Sequence, residues 1–172
     1  MPGITAAILE LTVAACALWG MLFLLTLVHE LGHAVGCRLA TGDRRWHIRV
    51  GWGRRLLYTK RLTVNLLVFD GLFTHAEETL DTKAKRIAML LGGPVFSLLT
   101  AAGLAVLRFG RLSFRSDFLA DGVIEFLLNT ALAIDPVILV LSAAPVRYFH
   151  GEIRGPETDG LQIIRAVRRR GS

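Results

Sequence analysis

The chain has 172 residues, 53% of them hydrophobic, with a mean hydropathy of +0.51 and a formal net charge of +6. Apolar content at that level, gathered in blocks, excludes an ordinary soluble domain and predicts a small integral membrane protein of one domain. Two cysteines, Cys16 and Cys37, give neither a disulfide framework nor a Cys-rich zinc module.

The first apolar block, Leu11 to Val28, carries no charge over 18 residues and stays apolar to Leu39, which predicts a membrane-spanning helix over about 6–39. No basic region precedes it, and it is too long for the apolar part of a cleavable signal, so none is expected. Its end holds His29-Glu30-Leu31-Gly32-His33. On a helix, positions four apart share a face, so both imidazoles can reach one metal ion. Glu30 projects about 100° round from them, where it can meet a metal-bound water without taking a coordination position.

Residues 46–73 differ in character. Trp46 to Val50 alternates, Arg55 to Lys60 and Leu62 to Phe69 are rich in β-formers, and Gly51, Gly53 and Asp70-Gly71 punctuate them. Two or three short antiparallel strands are expected at the cytoplasmic interface, as a basic hairpin against lipid headgroups or as an edge that adds an extended peptide. Thr74 to Lys85 reads as a polar connection. Ile87 to Leu107 is free of charge for 21 residues and predicts a second span over 86–107, weakened at Gly92-Gly93-Pro94. A third span is expected over 122–145, although Glu125, Asn129 and Asp135 lie inside it. The tail, 146–172, contains Asp159-Gly160 and a segment, Leu161 to Val167, apolar at helical spacing.

Charge fixes an expected direction. No Lys or Arg precedes the first span, 11 lie between the first and second, three between the second and third, and six after the third. The positive-inside rule then puts the first loop and the tail in the cytoplasm, with the N-terminus outside. The basic residues are expected to meet lipid, as in Arg165 and Arg168-Arg169-Arg170, and no aromatic or motif support points to nucleic acid.

Two imidazoles and a carboxylate around zinc, with one position open, is the arrangement of hydrolytic sites. The metal brings the pKa of its water to about 7 and a neighbouring carboxylate takes the proton. The third ligand is open between Asp159, Glu157, His150 and Asp135. Asp159 is favoured because it follows the return to the cytoplasmic side, whereas Asp135 lies roughly 10 Å deeper than its span's cytoplasmic end. His33-Ala34-Val35-Gly36 continues as in metzincins, but their third His falls on Leu39, which excludes that class.

Three stretches together resemble the site-2 protease family of intramembrane zinc metalloproteases. Val28-His29-Glu30-Leu31-Gly32-His33-Ala34 is similar to its ligand helix, Gly93-Pro94-Val95-Phe96-Ser97 to the stretch in its following span, and Asp159-Gly160 to its Asp-Gly ligand motif. The resemblance implies His29, His33 and Asp159 as ligands of one zinc ion and Glu30 as catalytic base. It implies three core membrane helices, and substrates that are membrane-spanning or membrane-proximal. Gly93, Pro94 and Ser97 would then border the substrate. Ser97 and Ser142 stand where the family carries Asn, and 13 residues separate Pro145 from Asp159, a longer interval than its pattern. A zinc-bearing but catalytically silent binder of client helices is the first rival reading. A metal transporter, suggested by Glu125 and Asp135, is the second.

Overall fold

The computed structural model describes residues 3–109, 121–150 and 153–168. Arg111, Arg115, Arg169 and Arg170, which entered the charge argument, lie outside them. The first helix, α1 (Ile4–Thr41), has no Pro, no charge from Leu11 to Val28, and a Gly at its end. Gly42 takes the left-handed conformation (φ 73°) and returns its N–H to the Arg38 carbonyl at 2.8 Å, which stops the helix. At 1.5 Å per residue, its 38 residues reach about 57 Å.

The second helix, α2 (Lys83–Phe109), runs antiparallel to α1: Gly32 faces Gly92, and Gly36 faces Ala88. Only glycine allows that approach, because a Cβ on Gly32 or Gly92 would overlap the other's carbonyl. The expected weakening at Gly92-Gly93-Pro94 is not a break. The helix passes unbroken through Pro94, and its glycines serve close packing. The third helix, α3 (Asp121–Ala143), packs on α2; at its far end Arg108 donates to Asn129 at 2.9 Å and to Glu125 at 2.6 Å. Three helices are long and apolar enough to cross a membrane: α1, α2, and Glu125–Ala143 of α3.

Between α1 and α2 lie β1 (Trp46–Tyr58) and β2 (Leu62–His75), an antiparallel pair followed by one 3₁₀ turn, Glu77–Thr79. The pair folds back on itself. Ile48, Arg49 and Val50 have partners in both 71–73 and 62–64, so the two ends of β2 bracket the start of β1. Ile48, Val50 and Val68 form a core with Ala34, on which Trp19, Leu22, Phe23, Leu27 and Leu31 pack. Those α1 residues recur every three or four positions and mark one helix face. The Trp19 indole N–H donates to the Leu66 carbonyl at 2.6 Å. The strands are therefore not a hairpin lying beneath the helix end. They run beside α1 for about 22 Å, from Ala34 back to Trp19, along its apolar middle.

Gly51 makes that fold-back possible, at φ 77° and with no room for a Cβ, which would sit 2.9 Å from the Leu67 carbonyl carbon. The left-handed conformation alone costs an ordinary residue roughly 1–2 kcal/mol. Gly51→Ala should lower the thermal midpoint by at least roughly 2–4 °C. Gly20→Ala, in open space on α1, should leave it unchanged or higher. Equal midpoints would remove the strain argument.

The tail is more structured than a polar extension. Arg147–His150 (β3) and Ile153–Glu157 (β4) pair antiparallel, then Asp159–Arg168 forms α4. This hairpin accounts for the long interval after Pro145, because it carries the chain away and back. Thr158 donates through Oγ1 to the Val146 carbonyl at 2.9 Å, and Gly160 lies against the Ala143 backbone. The start of α4 is thereby pinned to the end of α3. A second apolar cluster, Cys37, Leu80, Met89 and Leu90 with Phe73 and Ile163, closes the space beneath.

Candidate metal centre

His29, Glu30 and His33 are 5%, 7% and 4% exposed, and their ligand atoms lie within 4.8 Å of one another, a group that could hold a metal ion. Asp159 reaches the same place from α4. Its Oδ2 stands 3.2 Å from Nε2 of His29 and 3.2 Å from Nε2 of His33. Tetrahedral bonds of about 2.0–2.1 Å require donors about 3.3 Å apart, so these spacings fit two imidazoles and a carboxylate around one ion.

Each imidazole is turned by its other nitrogen. Nδ1 of His33 lies 3.0 Å from the Met89 carbonyl, an acceptor only, so Nδ1 carries a proton and Nε2 is the nitrogen turned toward Asp159. The Gly93 amide is a longer 3.4 Å from the same nitrogen. Nδ1 of His29 lies 2.9 Å from Oγ of Ser97. Such outer partners fix tautomer and ring direction in metal sites. Ser142 donates to Asp159 Oδ2. Burial works to raise the Asp159 pKa, but hydrogen bonds to His29 and His33, the charge of His33 and the Ser142 hydroxyl outweigh it and hold the carboxyl well below the usual range.

Glu30 borders the same imidazoles from its own turn of α1. Its carboxyl packs against Gly71, where a Cβ would collide with it, and Asp70 and Arg49, paired at 3.4 Å, are within electrostatic reach. The ring of Phe73 lies 6.2 Å from that of His33. Residues 71–73 of β2 are thus the part of the sheet nearest the site.

Among the expected residues bordering substrate, Gly93 lies directly against both imidazoles and Ser97 is fully buried with its hydroxyl on His29. Pro94 is half-buried inside α2, next to Gly93. Of the other third-ligand candidates, Asp135 is buried elsewhere between helices and Glu157 pairs with Arg165. The His150 side chain lies outside the described residues. Sequence reasoning missed the Met89 carbonyl, which no side-chain pattern announces, and the contact of Gly71 with Glu30; Asp70-Gly71 had signalled only a turn. Comparison with family models, with curated proteins and with solved structures finds no match.

Proposed function

We propose that the chain is a zinc-dependent intramembrane endopeptidase of the site-2 protease type, cleaving a peptide bond in or near a membrane-spanning substrate segment. One observation carries the reading: Asp159, 130 residues from His29, brings its carboxylate to the Nε2 atoms of both His29 and His33. A zinc ion held by His29, His33 and Asp159 would supply an acidified water and polarise the scissile carbonyl. With the metal bound, Glu30 would be the group placed to hold the proton removed from the attacking water and to pass it to the leaving amine. Ser97, Met89 and Ser142 keep the ligands aimed. The helix of a substrate shields its own carbonyls, so a cleavable segment must enter extended. The edge of β2 at 71–75, close to Glu30 and His33, offers an unwound segment backbone hydrogen bonds by strand addition. The asymmetry of basic residues supports placing the ligands toward the cytoplasmic side.

The test uses the full chain in lipid nanodiscs with a membrane-spanning reporter. Cleavage should cease on chelation and return with zinc, and Asp159→Ala should lose most of the roughly one equivalent of zinc that the parent binds. A parent that binds no zinc, or cleaves equally after chelation, overturns the proposal. The near-complete burial of Glu30 favours one other reading, a metal-holding protein that binds client helices without cutting them. Full zinc with no turnover of any membrane peptide would establish it.

A further inference from the structure

Asp135 is 1% exposed in the middle of α3, and neither carboxylate oxygen has a hydrogen-bond partner among the described residues. It lies against the backbone of Ala101 on α2 without reaching hydrogen-bond geometry. A buried polar group left in that condition is costly, and inside an apolar helix bundle it marks a function. Among the described residues, no charged side chain of the neighbouring helices is placed to meet it. The nearest set, Arg108 with Glu125 and Asn129, is engaged with itself two helical turns further along, and α1 is uncharged from Leu11 to Val28.

Ser97 poses the complementary problem. It is fully buried on α2, four residues and one turn from Ala101. When His29 gives its Nε2 lone pair to a metal, Nδ1 carries the proton and donates it to Ser97 Oγ. The hydroxyl must then pass its own hydrogen onward, and His29 is the partner it has among the described residues. Against the backbone one helical turn away lies the Asp135 carboxyl, whose oxygens have no hydrogen-bond partner among the described residues.

We propose that Asp135 is a positioning residue of the metal centre, taking the Ser97 hydroxyl hydrogen through one bridging water and so completing a relay from carboxyl to hydroxyl to His29. This rests on the proposed metal site and deepens it. The relay gives Ser97 a defined polarity, which holds the His29 ring in the tautomer and direction that coordination needs. Outer partners of this kind are worth about 10–100-fold in metal affinity. The α3 face carrying Asp135 also carries Ser142, so one helix would orient both the first imidazole and the third ligand.

The experiment is chelator competition for zinc on the full chain in nanodiscs, with parent, Asp135→Leu, Asp135→Asn, Ser97→Ala and the double variant Ser97→Ala/Asp135→Leu. Asp135→Leu and Ser97→Ala should each weaken zinc about 10–100-fold, and the double variant no more than either alone. Asp135→Asn, which keeps an acceptor oxygen, should stay within about threefold of the parent. Additive losses, or Asp135→Leu binding zinc as the parent does, would overturn the relay while leaving the metal site standing. A parent that binds no zinc would instead overturn the site itself. Helical circular dichroism of the metal-free proteins separates a packing defect: a relay predicts that Asp135→Leu keeps the parent's helical signal while its zinc affinity falls.

Discussion

Glu30→Gln is expected to keep zinc within about twofold of the parent while lowering cleavage by about 10²–10⁴-fold, the usual contribution of a general base. Gln has the shape of Glu, so the contact with Gly71 and the packing of α1 on β2 persist. What is lost is the ability to take a proton. The same variant decides between two donor sets that share this site. In the first, His29, His33 and Asp159 surround the ion and Glu30 faces the water; in the second, Glu30 joins the two imidazoles as ligand. A neutral amide is a far poorer ligand than a carboxylate, so the second set predicts that metal and cleavage disappear together. Cleavage that survives the substitution would refute the proton-transfer role altogether. Zinc content by elemental analysis and reporter cleavage, measured on one preparation, separate the three results.

Much of this arrangement is legible in the chain because it is local. The spacing of His29 and His33 is a property of one helix, and a helix imposes it wherever it forms. The three long helices follow from runs of mainly apolar residues, uncharged in the first two and interrupted by Asp135 in the third, which leave a backbone in such surroundings little alternative to bonding itself. Asp159 could be favoured but not chosen, since its approach depends on β3 and β4 returning the chain and on Thr158 and Gly160 fastening α4 to α3. No local pattern encodes that sum of contacts. Ser142 was noted as a departure from an Asn; its hydroxyl nevertheless reaches the Asp159 carboxylate.

The strands show a different gap. Alternation and turn residues announced β-structure over 46–73, and the observed strands cover it. Their position was hidden, because Trp19, Phe23 and Leu27 read as ordinary members of an apolar span. A residue that faces lipid and one that faces a strand have the same composition. Only the Trp19 indole, which needs an acceptor, differs, and its partner is a backbone carbonyl that no sequence displays. The glycines of α2 were read as weakness for the same reason: a missing side chain signals flexibility or close contact equally. Gly32 and Gly92 resolve it, since each leaves room for the other's carbonyl.

That distinction makes Gly93→Ala the second large effect. A Cβ at position 93 would lie 2.7 Å from Nε2 of His29 and closer still to Nε2 of His33. These are the atoms that would hold the metal, and the methyl would occupy the wall against which both rings rest. Ala is the better helix former by about 1 kcal/mol, so intrinsic propensity does not weaken α2 itself. The expected outcome is a protein that keeps its helical circular dichroism but binds zinc at least about 100-fold more weakly, since a ligand displaced outright costs no less than its outer partner. Gly92→Ala, one residue earlier, meets the Gly32 backbone instead and should act on the α1–α2 contact, lowering the thermal midpoint of the metal-free protein. Gly103→Ala, further along α2 in open space, should change neither property. If Gly93→Ala bound zinc as tightly as the parent, the two imidazoles would not converge beside α2, and the site would have to be sought on another face of α1.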